Sequence, residues 1–319
     1  MLGVFLDRDS VDRGELDFSA LDNLAIENWQ FYGLTQPEDL HTRIQDAHII
    51  ISNKVILDEA AFKAAPQLKL VCVAATGYNN IDLVSAQKHG VIVCNVRTYA
   101  TPSVSQHVFA LILSLSIHLG KYQRAVMKQA WQQSPHFCLL DYPIEELSGK
   151  TLGIIGYGEL GQAVAHIGEA FDMNVIISDH RGRDSRQGRM SFEQILRQAD
   201  VISLHCPLTS ETKGMIGVDE IHQMKSTALL INTARGGIVD EQALADALRD
   251  GRLAGAGVDV LSQEPPDDNN PLLANDIPNL IITPHIAWAS RASRQRLLNE
   301  IGKNINAFLA GSPRNVVTQ

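Results

Sequence analysis

The sequence predicts an α/β protein built from two doubly wound parallel sheets, and three observations lead to that prediction. The chain has 319 residues, which is long for one ordinary hydrophobic core and suits two domains. Short apolar runs alternate with amphipathic segments along almost its whole length, the pattern of strand–helix–strand units in parallel sheets. A second series of such units begins at Thr151 with a strand, a glycine-rich turn and a helix.

The first hundred residues contain one complete series of these units. We predict strands at "LGVFL" (2–6), "HIII" (48–51), "LKLVCVAA" (68–75) and "VIVCNV" (91–96), and helices at "PEDLHTRIQDA", "LDEAAFKAA" and "IDLVSAQKHG". Gly90 is suited to ending the last of these helices. Residues 1–100 are therefore expected to form one doubly wound domain.

The next segment predicts a buried helix. Pro102 suits the first turn of a helix, and the residues from Val104 to Leu119 are apolar on nearly every face. A helix with this pattern is buried, so we expect it to lie between domains or between subunits. It is too short, and too interrupted by serine and histidine, to predict a membrane span.

The second series extends from Thr151 to the end of the chain. Its predicted strands are "TLGIIG", "NVIIS", "ADVISLH", "ALLINT", "GAGVDV" and "LIITPH". The segment 262–271, "SQEPPDDNNP", is a loop rich in proline and aspartate, and residues 290–311 predict a terminal helix.

The charge and the hydropathy of the chain argue against several classes of protein. The formal net charge is −9 and the isoelectric point is near 5.6, which argues against a general nucleic-acid binder because such a protein needs a basic face. An anionic substrate would need a local positive site. The first ten residues lack the basic and apolar regions of a secretory signal, and no membrane association is expected.

The four cysteines, Cys72, Cys94, Cys138 and Cys206, are widely separated. No Cys-x-x-Cys pair or His/Cys cluster occurs, so the sequence predicts no metal site. Scattered free thiols are typical of proteins in the reducing cytoplasm, and we expect these to be small buried side chains.

Gly156, Gly158 and Gly161 form the pattern G-x-G-x-x-G. The first glycine permits a tight turn, the second lets a pyrophosphate approach the backbone, and the third lets the helix pack on the strand. The phosphate would then meet N–H groups at the start of the helix. Because the pattern follows a predicted strand and opens a predicted helix, it indicates a dinucleotide site.

Asp179 ends the next predicted strand and bears on which dinucleotide binds. An acidic side chain there accepts hydrogen bonds from the ribose hydroxyls and repels a 2′-phosphate, which favours NAD over NADP. An ordinary exposed loop aspartate is the alternative. Arg181 and Arg183 follow closely, and they are either partners for a 2′-phosphate or solvated loop charges.

Three further polar residues lie just past predicted strand ends: Arg235 in "INTARGGIVD", Glu264 in "DVLSQEPP" and His285 in "ITPHIAWAS". Ligands of open parallel sheets bind at the carboxyl ends of the strands. Each residue alone could be a surface ion-pair partner. Three at one sheet edge, beside a dinucleotide site, instead predict a catalytic group.

At this point the sequence resembles the D-isomer-specific 2-hydroxyacid dehydrogenases over essentially its whole length. The resemblance rests on "GIIGYGELG", "HCPLTSETKGMI", "LINTARGGIVDEQAL", "GAGVDVLSQEPP" and "TPHIAWAS", which follow one another in the family's order. It implies a substrate domain of residues 1–100 plus 290–319. A Rossmann-like NAD-binding domain, residues 101–289, would be inserted into it. It also implies a homodimer supported by the helix after Pro102.

The resemblance implies a role for each of the three polar residues. His285 would be the general acid that protonates the carbonyl oxygen of a 2-oxo acid as hydride arrives from nicotinamide. Glu264 would hold the imidazole and stabilise its protonated form. Arg235 would bind the substrate carboxylate, a task that suits its planar fork and permanent charge.

Other positions carry over from the same resemblance. In "AATGYNNIDL", the backbone N–H groups of Thr76 and Gly77 would hold the substrate carboxylate. Tyr99 matches a substrate-contacting tyrosine of some members, with a buried packing residue as the alternative. The implied cofactor positions beside the glycines are Glu159 and Leu160. Those on the adenosine side are His205, Cys206, Pro207 and Thr212, and those on the nicotinamide side are Thr233, Ala234 and Asp259. The resemblance also implies that Arg235, His285 and Ala287 contact the cofactor. Asp259 would accept from the carboxamide.

Weaker similarities bear on the substrate. "HIAWASRASRQRL", "GYNNIDL" and the stretch from Trp131 to Phe137 resemble the bacterial glycerate dehydrogenases, also called hydroxypyruvate reductases, and Trp288 lies where a side chain would cap the pocket. D-glycerate and hydroxypyruvate are thus the expected pair, with glyoxylate as a further substrate. A D-lactate or 3-phosphoglycerate dehydrogenase stays open, as does an NAD-sensing, corepressor-like binding protein.

Overall fold

The computed structural model describes residues 1–182 and 186–318, and the chain forms two compact units. Unit 1 comprises Met1–Ala100 and Trp288–Gln319, and unit 2 comprises Thr101–Ala287. The chain returns to unit 1 at Trp288, two residues before the boundary expected from the sequence.

The regular elements alternate along the chain. The strands are β1 (Leu2–Phe5), β2 (Asn28–Phe31), β3 (Ile49–Ser52), β4 (Leu70–Val73), β5 (Ile92–Cys94), β6 (Thr151–Ile155), β7 (Asn174–Ile177), β8 (Val201–Leu204), β9 (Leu229–Asn232), β10 (Gly255–Val258) and β11 (Leu280–Ile282). The helices are α1 (Ser19–Asp22), α2 (Pro37–Ile44), α3 (Glu59–Ala64), α4 (Leu83–Lys88), α5 (Thr101–Ser116), α6 (Leu119–Met127), α7 (Glu159–Ala170), α8 (Phe192–Gln198), α9 (Val218–Gln223), α10 (Glu241–Arg249) and α11 (Arg291–Leu309).

Unit 1 contains a parallel five-stranded sheet in the order β2-β1-β3-β4-β5. Successive side chains of its strands point to opposite faces. Val4 and Ile50 pack on one face with Phe62 of α3, whereas Phe5 packs on the other face with Ile301 of α11. The sheet is therefore covered by helices on both faces, one of them the C-terminal helix α11, and the predicted doubly wound fold is confirmed.

Strand β2 was missed by the sequence analysis. It lies at the edge of the sheet, where it pairs only with β1 among the described strands. Three of its four residues are exposed. An exposed edge strand needs no continuous apolar run, so the signal that predicted its neighbours is absent there.

Unit 2 contains a parallel six-stranded sheet in the order β11-β10-β9-β8-β6-β7. Helix α5 lies directly on this sheet, because a Cβ on Gly257 of β10 would stand 2.9 Å from the Cβ of Leu111. Val108, Leu111 and Ile112 of α5 are buried. Burial of this helix is what its apolar pattern predicts.

Side chains of the residues that immediately precede several helices accept hydrogen bonds from backbone N–H groups that would otherwise lack partners. Asp58 caps α3, Asp82 caps α4, Asp240 caps α10 and Ser290 caps α11. These caps also determine where the preceding loops end.

Among the described residues, no helix taken alone is both long and apolar enough to span a membrane. Helices α5 and α6 meet those criteria only as a pair, across a 60° bend.

Candidate active site

The glycine-rich turn joins β6 to α7 in the way the sequence predicts. Gly156 has φ +95°, and a Cβ on it would lie 2.6 Å from the backbone nitrogen of Cys206. A Cβ on Gly161 would lie 2.2 Å from the carbonyl oxygen of Gly156. Around Gly158, in contrast, no described atom lies within 4 Å of such a Cβ. Gly156 and Gly161 thus permit close packing, and Gly158 leaves open space for a ligand.

Helix α7 begins at Glu159, followed by Leu160, directly after this turn. The carboxylate of Glu159 accepts a hydrogen bond from the hydroxyl of Thr101 at the start of α5. A phosphate beside the turn would meet the backbone N–H groups of the first helical turn, as helix N-termini favour anions. The sequence analysis did not identify Thr101.

The carboxylate of Asp179 is almost fully buried and is held by Arg186. Nη2 of Arg186 donates to Oδ1 at 2.7 Å, Nε lies 3.0 Å from each oxygen, and the backbone N–H of Arg186 donates to Oδ2 at 2.7 Å. The N–H of His180 donates to Oδ1 at 2.8 Å. The guanidinium and these N–H groups hold the pKa of Asp179 well below its usual range.

Arg186 is a residue that the sequence analysis missed, although "RGRDSRQGR" contains several cations. Of the two arginines proposed there, Arg181 forms an ion pair with Glu220 at 2.6 Å. Arg183 lies outside the described residues.

The loop after β8 presents His205, Cys206 and Pro207. Nε2 of His205 lies 2.9 Å from the hydroxyl of Ser203, and burial lowers the pKa of His205 to about 4. Burial also raises the pKa of the Cys206 thiol. The hydroxyl of Thr212 donates to the carbonyl of Pro207 at 2.6 Å, which closes this loop on itself.

Two buried polar atoms in these loops have no hydrogen-bond partner among the described residues: Nδ1 of His205 and Oγ1 of Thr233. Buried polar groups are normally paired, because leaving one unpaired costs roughly 1–3 kcal/mol. Both follow strands of the sheet whose glycine turn leaves open space at Gly158. The residues present therefore fit a bound dinucleotide.

Arg235 lies in the turn after β9, and its side chain is exposed. Asn232 shapes the turn, since its side-chain oxygen accepts from the N–H of Ala234 at 3.1 Å and its amide donates to the carbonyl of Arg235 at 3.0 Å. Nη1 of Arg235 donates to the carbonyl of Ala234 at 2.7 Å. The exposed guanidinium is thus placed at the carboxyl edge of the sheet.

Nδ1 of His285 lies 2.5 Å from Oε2 of Glu264. The other carboxylate oxygen of Glu264 accepts the N–H of Leu261 at 2.9 Å, which orients the carboxylate. The structure therefore brings together two of the three residues predicted as catalytic in a direct hydrogen bond. The turn of Arg235 lies against the segment that carries Glu264, at Leu261.

His285 has φ +52°, a conformation that costs energy for a residue with a side chain. Asp259 holds this turn: its buried carboxylate accepts the N–H of Ile286 at 2.9 Å, the N–H of Ala287 at 2.9 Å and the hydroxyl of Thr283 at 2.5 Å. Its backbone carbonyl also accepts the N–H of His285. Asp259, predicted as a carboxamide acceptor, thus supports the His285 turn in this structure.

Two further supporting residues were missed by the sequence analysis. Nε2 of His107, on α5, lies 2.9 Å from the hydroxyl of Thr283. Glu241, the first residue of α10, accepts the N–H of Ser262 at 2.5 Å and the side-chain amide of Asn270 at 2.8 Å, and so holds the loop that carries Glu264. Both contacts join residues far apart in sequence, which no local pattern reveals.

The predicted substrate residues of the first hundred lie in unit 1. The hydroxyl of Thr76 donates to the carbonyl of Val96 at 2.9 Å, and the carbonyl of Thr76 accepts the side-chain amide of Asn95 at 2.7 Å. These bonds hold the loop that continues to Gly77. Tyr99 is buried in the core of unit 1, with its ring edge-on to Trp288. The contacts described here for the Tyr99 ring are packing contacts.

The site has the parts needed to transfer a hydride to a carboxylate-bearing oxo acid. A histidine–carboxylate pair can exchange a proton, an exposed arginine can bind a carboxylate, and the glycine turn can hold a dinucleotide. Within 1–182 and 186–318, no group of three or more His, Cys, Asp or Glu residues is arranged to hold a metal ion.

Comparison with known proteins points to the same chemistry. Residues 109–287 match the family described as "D-isomer specific 2-hydroxyacid dehydrogenase, NAD binding domain". The chain is 46% identical to a glycerate dehydrogenase of Methylorubrum extorquens over 98% of each protein. It is 40% identical to a hydroxypyruvate reductase of Blautia hydrogenotrophica over 99% of each.

Among solved structures, a D-lactate dehydrogenase from Aquifex aeolicus complexed with NAD and lactic acid superposes with a TM-score of 0.81. The two sequences are 31% identical, and the match covers 100% of this chain and 99% of that one. This chain therefore shares its fold with a D-lactate dehydrogenase whose structure was solved with NAD bound.

Proposed function

The chain belongs to the D-isomer-specific 2-hydroxyacid dehydrogenase family, and from that premise we propose that it interconverts D-glycerate and hydroxypyruvate and also reduces glyoxylate. As a member of the family it is an NAD-dependent oxidoreductase, and unit 2 contains its NAD-binding domain. The relatives named glycerate dehydrogenase and hydroxypyruvate reductase support the choice of substrate.

The structural observation that carries the dehydrogenase chemistry of this proposal is the hydrogen bond between Nδ1 of His285 and Oε2 of Glu264. Because Nδ1 faces the carboxylate, Nε2 is the atom that exchanges a proton with the substrate oxygen. The nicotinamide cofactor, when bound, supplies the hydride in reduction and accepts it in oxidation. Glu264 holds the imidazole ring in one orientation.

Arg235 binds the carboxylate of the oxo acid in this proposal. Its guanidinium is exposed at the turn after β9, and a fork of N–H donors matches the two oxygens of a carboxylate. It supplies the local positive charge that an acidic protein must offer to an anionic substrate. In unit 1, we assign further carboxylate contacts to the backbone N–H groups of Thr76 and Gly77.

The cofactor residues are proposed from the same geometry. Gly156, Gly158 and Gly161, with Glu159 and Leu160, form the phosphate turn. His205, Cys206, Pro207 and Thr212 line the adenosine side, and Thr233, Ala234 and Asp259 line the nicotinamide side with Ala287. The unpaired atoms of His205 and Thr233 support this assignment, since a bound ligand would satisfy them.

We propose that the protein is a homodimer. Helix α6 and the segment after it expose large apolar side chains, among them Met127, Trp131, Phe137 and Leu140. Exposed large apolar side chains that occur close together in one segment support a protein–protein interface there. We place the protein in the cytoplasm, where its four free cysteines would remain reduced.

The test is a comparison of initial rates of NADH oxidation with hydroxypyruvate, glyoxylate, pyruvate and phosphohydroxypyruvate. The highest kcat/KM with hydroxypyruvate is expected. A preference for pyruvate or the phosphorylated acid would keep the family mechanism and refute the substrate. Tight NADH binding without turnover of any of the four would support an NAD-sensing binding protein instead.

A further inference from the structure

The pair formed by Asp179 and Arg186 lies where β7 ends, beside the predicted position of the adenosine ribose. The side chain of Asp179 is 2% exposed, whereas that of Arg186 is 55% exposed. The carboxylate is therefore enclosed, and the guanidinium forms part of the accessible surface.

The hydrogen bonds engage both oxygens of Asp179. A carboxylate offers about four lone-pair positions, and here the N–H groups of His180 and Arg186 and two nitrogens of the guanidinium point to them. A ribose that seeks both oxygens must displace the guanidinium first. An aspartate paired in this way is a weaker acceptor of ribose hydroxyl groups than an aspartate whose carboxylate has no cationic partner.

Pairing also changes the local charge. An unpaired carboxylate repels a 2′-phosphate, but a carboxylate neutralised by a guanidinium does so much less. Arg186 moreover keeps exposed surface, and guanidinium groups bind phosphate oxygens with charge-assisted hydrogen bonds. The same pair thus weakens the selection for NADH and supplies a cation for NADPH.

Two neighbouring arginines that the structure describes, Arg181 and Arg189, contact other residues. Arg181 forms its ion pair with Glu220 at 2.6 Å. Arg189 reaches the carbonyl of Ser178 at 3.4 Å and lies over the ring of Tyr157. Arg186 is therefore the described cation best placed to act together with Asp179.

We propose that Arg186 is a specificity-determining residue: by holding the carboxylate of Asp179 and offering its guanidinium to the 2′-phosphate, it lets this chain accept NADPH beside NADH. The inference depends on the cofactor site and is independent of which oxo acid is reduced.

The test uses Arg186→Ala and a probe that needs no turnover. Calorimetric titration measures the binding of adenosine 2′,5′-bisphosphate and of 5′-AMP, which differ only in the 2′-phosphate. In the variant, binding of the bisphosphate is expected to weaken about tenfold or more, the loss of a charge-assisted bond to phosphate. Binding of 5′-AMP is expected to stay equal or become tighter, because the carboxylate is released.

The kinetic counterpart is the ratio of kcat/KM for NADPH to that for NADH with one oxo acid. This ratio should fall about tenfold or more in Arg186→Ala. Arg197→Ala is the matched control, since it removes an exposed arginine on α8 whose guanidinium reaches the side chain of Gln223, and it should leave the ratio within about twofold.

A second variant separates the possible roles of the pair. Asp179→Asn keeps the shape of the side chain and releases Arg186, so binding of the bisphosphate should become tighter. If Arg186→Ala weakens both adenosine ligands equally, or changes neither, the proposal is wrong. It is also wrong if Asp179→Asn weakens 5′-AMP and leaves the bisphosphate unchanged, because Asp179 would then contact the ribose directly.

Discussion

Gly236 lies so close to Leu261 that a Cβ on Gly236 would stand 1.8 Å from the carbonyl oxygen of Leu261. This contact places the turn of Arg235 directly against the segment that leads to Glu264. The loops that carry Arg235 and Glu264 are thereby held at a fixed separation by backbone atoms, which cannot move aside as a flexible side chain would.

Gly236→Ala is therefore expected to push these two loops apart. A displacement of about 1 Å at the site can lower turnover about 100-fold, so kcat/KM for the oxo acid should fall by a factor between about 10 and 100. Steady-state kinetics measure it. Gly217→Ala is the control, because Gly217 has an ordinary φ of −114° and its added Cβ would come no nearer than 3.4 Å to a described atom, Oε2 of Glu220. Equal effects of the two substitutions would contradict the proposed contact.

His285→Ala removes the group that exchanges a proton with the substrate oxygen. The loss of a general acid lowers kcat by about 10² to 10⁴, and NADH binding should be largely retained. Stopped-flow or steady-state rates with hydroxypyruvate, together with NADH titration, measure both quantities. A kcat close to that of the unmodified protein would remove His285 from the mechanism.

Arg235→Lys keeps the charge and loses the planar fork. We expect weaker binding of the oxo acid and slower turnover, because a lysine ammonium cannot form two parallel bonds with a carboxylate. The measurement is KM and kcat with hydroxypyruvate at saturating NADH. Unchanged kinetics would show that the carboxylate is bound elsewhere.

Glu241→Gln tests whether the loop of Glu264 is held from α10. One glutamine oxygen cannot replace both carboxylate oxygens, which accept the N–H and hydroxyl of Ser262 and the amide of Asn270. We expect kcat to fall about tenfold, with NADH affinity unchanged. Glu193→Gln, an acidic residue in the first turn of α8, is the matched control. A loss of kcat in the control of the same size would attribute the effect to helix stability.

His205 makes the stability of the protein depend on pH. Burial lowers its pKa to about 4 from an ordinary 6.5, so between these values the unfolded chain binds a proton that the folded chain does not. The free energy of unfolding should therefore fall as the pH falls from 6.5 to about 4, by at most about 1.4 kcal/mol per pH unit. Urea unfolding of the cofactor-free protein across this range measures the slope.

His205→Gln removes this proton-binding group and keeps a polar side chain near Ser203. The difference in unfolding free energy between the two proteins should then change with pH only inside that window. A difference that stays constant from pH 7 to pH 4 would mean that His205 binds its proton equally well in the folded and the unfolded protein.

The fold follows from the sequence to a large extent. Buried parallel strands appear as continuous apolar runs, and β3 and β4 are recognisable for that reason. Strand β2 was not predicted, because it is an exposed edge strand without a continuous apolar run. Local signals thus depend on burial, and they are strongest in the middle of each sheet.

The chemistry of the site was also predictable in outline. Gly156, Gly158 and Gly161 lie between a predicted strand and a predicted helix, the context that indicates a phosphate turn. Arg235, Glu264 and His285 follow predicted strand ends in segments that resemble the family. Comparison with known proteins confirms the family and the NAD-binding domain.

The sequence by itself determined the buried strands and the strand–turn–helix unit of the cofactor turn, and it predicted the types of the reacting groups, because these depend on local spacing and on the chemistry of single side chains. Only the tertiary structure decided which groups hold them: Arg186 on Asp179, Gly236 against Leu261, and Glu241 on the loop of Glu264. The physical reason is that hydrogen bonds and close contacts act over a few ångströms. Residues far apart in sequence come within that range only when the chain has folded.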